Sequence, residues 1–201
     1  MLRFDAISEP VKELLVRLAP QPALRDFALG GGTSLALRFG HRLSVDLDFF
    51  TTREFSQEEL MASLDIGTPT ITGRAANSLT IDAAGVKLNL LRHAYPLLEP
   101  VERVDGIALI SLPDLAAMKL NAIANRGAKK DFYDLTELLR HFSIHQLIGF
   151  FSEKYPTSDA FTVIRNLAWF DDAEQEPDPL PLNAITWQEV MACARTAVAQ
   201  L

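Results

Sequence analysis

Cysteine is almost absent: Cys193 stands alone among 201 residues, which excludes an internal disulfide and a thiolate-bound metal. Its neighbours Val190, Met191 and Ala197 follow a helical pattern, so it reads as a small core residue. Histidine is scarce as well. His41, His93, His141 and His145 are too scattered for a zinc motif, so any metal must find oxygen ligands, which selects Mg²⁺ or Mn²⁺. Positive charge is in deficit: 19 Lys and Arg against 26 Asp and Glu leave a net charge of −7. That is the wrong sign for a protein that coats nucleic acid nonspecifically, though it leaves room for one basic patch to receive an RNA end. Long apolar runs are missing too, none nearing the roughly 20 residues that cross a bilayer. The opening Met1, Leu2, Arg3, Phe4 and Asp5 lack the charged-then-apolar order of a secretion signal. The expectation is a cytoplasmic protein with no membrane segment. Internal repeats and low-complexity stretches are absent, and at 48% hydrophobic and 22% charged the chain is long enough for a full core.

The most informative stretch is 30–50. Phe27, Ala28 and Leu29 read as a short strand running into Gly30, Gly31 and Gly32, whose missing side chains permit unusual backbone angles and close approach of a phosphate. Thr33 and Ser34 then open a helix whose first N–H groups have no acceptor within it. Taken alone the pattern is weak, because glycine turns followed by a hydroxyl N-cap begin many helices that bind nothing. Asp46 and Asp48 alternate with Leu47 and Phe49, so a strand here turns both carboxylates to one face and both apolar side chains to the other. Two like charges in so apolar a frame are costly unless a cation compensates them. So placed, they can share a divalent metal, and the glycine turn beside them suits a nucleoside triphosphate.

The rest of the chain frames these signals. Residues 8–19, with Pro10 in the first turn and Val11, Leu14, Leu15 and Leu18 on one stripe, form an amphipathic helix. Residues 78–82 and 86–92 form a hairpin around Ala83, Ala84 and Gly85. After Ser111 the pattern turns wholly helical. Ser111 and Asp114 with Pro113 start a helix that Asn125, Arg126 and Gly127 stop. Lys119 lies at the edge of its apolar stripe of Leu115, Met118, Ala122 and Ile123, where a lysine ordinarily keeps its ammonium in water. Asp131 and Asp134 share one surface in the first turn of the next helix, an arrangement that by itself favours the helix dipole. Arg126, Lys129 and Lys130 form a basic cluster just before it, read either as a solvated helix end or as a docking point for RNA phosphates. Helices over 144–155 and 159–170 and one from Trp187, opened by the capping box Thr186 and Glu189, complete the chain. Residues 174–182, rich in proline and acid, read as an exposed linker.

Residues 29–51 resemble the signature of the nucleotidyltransferase AbiEii/AbiGii toxin family, a branch of the DNA polymerase β-like nucleotidyltransferases. Here Gly31 to Leu37, then His41 with Arg42, then Asp46 to Phe50 carry the likeness. A second block runs from Asp114 to Lys119 and on through Arg126 and Gly127 to Lys130, Asp131, Phe132, Tyr133, Asp134 and Leu135. The strand and helix pattern gives an α+β chain, a mixed sheet with flanking helices over 1–110 followed by a helical part over 111–201 packed on it, and the resemblance implies that the first part is a nucleotidyltransferase-like core. It implies Asp46 and Asp48 as catalytic metal ligands for Mg²⁺ or Mn²⁺. Gly31, Gly32, Thr33 and Ser34 would cradle the triphosphate, Lys119 would neutralise it, and Asp134 or Asp131 would act beside Lys119. The family's usual third carboxylate, which serves as base or metal ligand, falls closest to Asn89, an amide that cannot act as a base. Asp82 on the partner strand could substitute only by facing the site, with Asp131 and Asp134 as the other candidates.

The expected reaction moves a nucleoside monophosphate from a nucleoside triphosphate to a hydroxyl of RNA, tRNA or protein. The expected setting is the toxin side of a toxin–antitoxin or abortive-infection system with a cognate antitoxin. A catalytically silent domain that binds nucleotide or protein is the rival reading, and the absent third carboxylate favours it. Modification of a small-molecule hydroxyl is a third, though no residue marks a pocket for one.

Overall fold

Apolar residues at alternate positions of 46–51 and 86–92 build strands with one buried side and one side left for polar groups. In the computed structural model, which describes all 201 residues, these belong to a seven-stranded mixed sheet. Its strands are β1 (Ala28–Leu29), β2 (Asp46–Thr51), β3 (Thr70–Ala75), β4 (Ser78–Ala83), β5 (Val86–Arg92), β6 (Glu102–Val104) and β7 (Ile107–Leu109). Their order across the sheet is β3-β4-β5-β2-β1-β7-β6. The pairs β2–β5 and β1–β7 are parallel, and the others are antiparallel. Of these strands, β3 lies outside what the alternation pattern picks out. Its exposed Thr70–Ala75 run carries Gly73 and Arg74 in place of a clean apolar alternation.

The chain divides into two compact units, one of Met1–Arg38, Ser44–Pro96 and Pro100–Ile110, the other of Phe39–Leu43, Leu97–Glu99 and Ser111–Leu201. In the first, Leu47 and Phe49 of β2, Leu79 and Ile81 of β4, and Leu88 and Leu90 of β5 share a core with Val11, Leu14, Leu15 and Leu18 of helix α1 (Glu9–Leu18). The same unit carries α2 (Gly31–Phe39), as far as Arg38, after β1 and α3 (Gln57–Ser63) after β2. The β4–β5 hairpin closes through Ala84 and Gly85, both at positive φ, while Asp82 Oδ1 accepts the Gly85 N–H at 2.9 Å. Asp82 is thereby fixed as a turn residue, exposed to solvent.

The second unit is helical: α4 (Leu112–Asn125), α5 (Lys129–Leu138), α6 (Ile144–Lys154), α7 (Ala160–Leu167), α8 (Asp171–Glu174) and α9 (Trp187–Val198). Ser111 caps α4 by accepting the Asp114 N–H. Gly127, at φ +54°, ends it by donating to the Ala122 carbonyl at 3.2 Å. Asp114 then does more than start a helix. Fully buried, it accepts from Leu98 N, Glu99 N, the Ser111 hydroxyl and Lys154 Nζ, and so ties segment 97–99 to α4 and α6. The capping box of Thr186 and Glu189 opens α9 as expected.

One reading is corrected here: Cys193 is only partly buried. The proline- and acid-rich 174–182 is the expected exposed link between helices, and it is anchored as well. Leu43 N donates to Leu180 O at 2.8 Å and Leu182 N to His41 O at 3.0 Å, while Glu176 and Asp178 bind the Lys129 backbone and ammonium. Composition reports that such a segment avoids the core, and backbone pairing with a distant segment leaves no trace in composition.

Candidate functional site

In the first unit the two carboxylates stand together. Asp46 and Asp48, both partly exposed, alternate with buried Leu47 and Phe49, so they share the face of β2 that looks away from the core. The turn into α2 lies alongside, because Gly30 N donates to the Asp48 carbonyl at 2.8 Å. Gly31 has φ +61°, and a Cβ built there would collide with Asp48 Oδ2. Glycine is therefore required twice over, by backbone angle and by the carboxylate beside it. On β5, Asn89 is the register neighbour of Asp48, donates its amide to Asp48 Oδ1 at 2.7 Å, and accepts from Thr80 Oγ1 at 2.9 Å. The position expected for a third carboxylate thus holds an amide that orients the second. Asp82 lies in register with Lys87, which pairs with Asp46, and its oxygen serves the hairpin turn.

The hydroxyls expected to cradle phosphate turn inward. Thr33 Oγ1 is buried against Ser44 Oγ at 2.7 Å and bonds the Asp46 carbonyl, which latches the start of α2 to β2. Ser34 Oγ is buried with no hydrogen-bond partner. Gly31 and Gly32, both partly exposed, leave backbone N–H groups as the accessible donors of the first turn. Two carboxylates suit Mg²⁺, which keeps several waters and takes phosphate oxygens to complete its shell. No group of three or more His, Cys, Asp or Glu that could hold an ion is present.

In the second unit the remaining residues form a buried ionic cluster. Lys119 Nζ lies 2.8 Å from Asp131 Oδ1 and 2.7 Å from Asp134 Oδ2. Asp134 also accepts from Arg42 Nε at 2.6 Å, Arg42 Nη2 at 2.9 Å and His41 Nε2 at 2.7 Å, and Asp131 from Arg126 Nε at 2.9 Å. The ammonium is therefore buried, contrary to the ordinary expectation for a lysine at a stripe edge. Burial alone would raise the Asp134 pKa, but the charges of Arg42 and Lys119 with the His41 and Arg42 hydrogen bonds outweigh it and hold the group well below the usual carboxylate range. Asp131 is likewise lowered against its burial by Lys119 and Arg126. Lys119 is raised against its burial by Asp134 and Asp131. Lys119, Arg42 and Arg126 set three positive charges against two carboxylates, an excess of one that favours an anion nearby.

The basic cluster before α5 is largely spent. Arg126 serves Asp131, and Lys129 is buried, 3.1 Å from Asp178 and 5.2 Å from the Trp187 ring centre. Of the three, Lys130 alone points to solvent with no ion pair. His41 and Arg42 are the functional-looking residues to which sequence reasoning assigned no role. Their signal was the His-Arg pair four residues before Asp46.

Residues 13–192 match the family described as nucleotidyl transferase AbiEii toxin, Type IV toxin–antitoxin system. The chain belongs to this family. An uncharacterized protein of Aquifex aeolicus is 35% identical over 172 residues, covering 82% of this chain and 84% of that protein. Among solved structures, the nucleotidyltransferase toxin MenT4 from Mycobacterium tuberculosis superposes with a TM-score of 0.69 at 16% identity, covering 94% of this chain and 81% of that one. JHP933 from Helicobacter pylori superposes at 0.53 with 16% identity, covering 97% and 94%. At such identities the two structures speak for the fold, which is that of the nucleotidyltransferases. This AbiEii-family protein is a toxin-type nucleotidyltransferase, and none of its helices is long and apolar enough to cross a membrane.

Two outcomes are expected if the Asp46 and Asp48 face is where this AbiEii-family protein transfers nucleotide. Gly31→Ala should lower nucleotide transfer about tenfold or more, because positive φ costs a side-chain-bearing residue about 1–2 kcal/mol and the new methyl must displace Asp48. Initial rates with labelled nucleotide measure this, and an unchanged rate would mean that Asp48 has no fixed place. If Asp48 holds a metal ion, Asn89→Ala, which frees Asp48 Oδ1, should cost about 10- to 100-fold, as loss of an orienting partner to a metal ligand typically does. The deficit should then shrink as Mg²⁺ is raised, which a packing defect would not do.

Proposed function

We propose that this protein moves a nucleoside monophosphate from a nucleoside triphosphate to a hydroxyl of an RNA or protein acceptor, in the cytoplasm, opposed by a cognate antitoxin. The observation that carries the reading is the placement of Asp46 and Asp48 on one open face of β2, beside a glycine turn shaped around Asp48. Asp46 and Asp48 would hold Mg²⁺ or Mn²⁺. When bound, the ion would neutralise phosphate charge and lower the barrier to an incoming hydroxyl. The N–H groups of Gly31 and Gly32 would receive phosphate oxygens, and Lys119 would supply positive charge to the triphosphate. The acceptor oxygen forms a bond to the α-phosphorus as the bond to the β-phosphate oxygen breaks. Pyrophosphate leaves, and the hydroxyl proton passes to solvent water.

The ionic cluster narrows the roles further. An effective base needs a pKa near working pH, whereas Asp131 and Asp134 are pinned in their ionised form by cations. They act as positioning residues that keep Lys119 charged and in place. Asn89 supplies no base either.

The test is incubation of the full chain with each labelled nucleoside triphosphate, Mg²⁺ and a cell extract, followed by separation of RNA and protein and assay of pyrophosphate. Label in one acceptor class with matching pyrophosphate supports the proposal. Nucleotide binding with no pyrophosphate released would instead assign a silent binding module, which the amide at position 89 favours.

A further inference from the structure

Past Asp48 the same sheet face turns aromatic. Phe50 is two residues further along β2, so its ring stands on the carboxylate face about 7 Å beyond Asp48. On β5 the alternation that brings Asn89 to this face continues through Leu91 to His93, whose N–H donates to the Thr51 carbonyl at 2.8 Å. Phe50 and His93 meet edge to face with ring centres 6.2 Å apart, and His93 and Tyr95 follow at 5.1 Å with planes tilted by 46°. Gly30 makes room for this row, since a Cβ there would strike the Phe50 ring at 2.7 Å. Tyr95 is 39% exposed. At the other end of the face, exposed Lys87 lies in register with Asp46.

We propose that Phe50, His93 and Tyr95 form the shelf on which the base of the incoming nucleoside triphosphate stacks. The proposal rests on the reading of Asp46 and Asp48 as the residues that hold the metal and, through it, the phosphates. Along β2 and β5 the face runs from a cation at Lys87, through the carboxylate pair, to three rings. That order matches a nucleotide read from its terminal phosphate, through the metal-bound phosphates, to its base. The step from Asp48 to Phe50 leaves about the span of one ribose. Stacking uses the π-face that every base offers, so the shelf takes all four bases without hydrogen-bond discrimination.

Calorimetric titration of the full chain, with Ca²⁺ replacing Mg²⁺ to prevent turnover, tests this using ATP, GTP, CTP and UTP, with inorganic tripolyphosphate as the probe that lacks a base. Tyr95→Ala should raise the Kd of all four nucleotides about tenfold, within the range of one lost stacking contact. It should leave the tripolyphosphate Kd unchanged, and Tyr95→Trp should restore nucleotide affinity. His93→Ala serves as the second variant, with thermal melting to show that each is folded. Unchanged nucleotide affinity in both alanine variants overturns the proposal. So does a rise in the KM for acceptor RNA with no change in nucleotide Kd, which would give the shelf to the acceptor. If the wild-type chain binds neither nucleotide nor tripolyphosphate, the metal and phosphate reading fails first and the shelf falls with it.

Discussion

Asp48→Ala is expected to cut nucleotide transfer about a thousandfold or more while leaving the protein folded, because a divalent cation contributes several kcal/mol of charge stabilisation and each 1.4 kcal/mol is about tenfold in rate. On the proposed reading Asp46 and Asp48 are the two carboxylates offered to that ion, so removing one would halve the chain's share of the coordination shell. The side chain is partly exposed, and its one hydrogen bond, from Asn89, is worth about 1 kcal/mol net. The melting temperature should therefore move by only a few degrees. Single-turnover transfer of labelled nucleotide, paired with a thermal melt, separates the two effects. A wild-type rate in this variant would remove the metal assignment and with it the enzymatic role of β2.

Asp134→Asn should act in the opposite way, chiefly on stability. Its carboxylate is fully buried and faces Lys119, Arg42 and His41 together, so the neutral amide leaves two buried cations without their shared counter-charge. Breaking a buried pair from one side typically costs about 3–5 kcal/mol, which in a chain of this length corresponds to a drop in Tm of about 10 °C. The sign of the pH dependence follows from the same cluster. Asp134, Asp131 and Asp114 all have folded pKa values below their ordinary range. Their stabilisation is present above about pH 4 and is lost as the medium is acidified through the folded values. Lys119 is raised, so its share is present below its ordinary pKa and disappears as pH climbs through the folded value. Denaturant titrations across pH 2–6 should show a steep acid limb in the wild type and a shallower one in Asp134→Asn. Equal stability of the two proteins at pH 7 would show that Asp134 does not carry the buried charge balance of the cluster.

The contrast between these substitutions reflects what a sequence makes legible. Asp46 and Asp48 were readable as a pair because a strand's period of two is a local rule, applied between residues two apart. Gly31 was readable as a turn for the same reason, though not as the residue that makes room for a carboxylate, since that carboxylate is 17 positions away. Asn89 could be placed near the pair only through the family resemblance, because the hairpin sets β4 against β5 and leaves the pairing of β5 with β2 open. The inward turn of Thr33 could not be anticipated. A hydroxyl at a helix start looks the same whether its acceptor is a ligand or the Asp46 carbonyl.

Local periodicity and turn chemistry in the sequence thus determined the α+β class, the helical second half, the caps at Ser111, Gly127 and Thr186, and the shared face of Asp46 and Asp48. Tertiary structure alone decided the fate of Lys119. Helical spacing put it at the rim of an apolar stripe, a place where solvent is the default, and the charges that draw it inward come from Asp131 and Asp134 on another helix, with Arg42 reaching Asp134 from 92 residues away. Tertiary structure also decided that residues 180–182 are bound to residues 41–43 and that Phe50, His93 and Tyr95 form one row. The physical reason is common to all three. Spacing along a chain encodes which side of an element faces the core, whereas the partner of a charge or a ring is set by elements far apart in sequence, whose meeting depends on the energy of the whole fold.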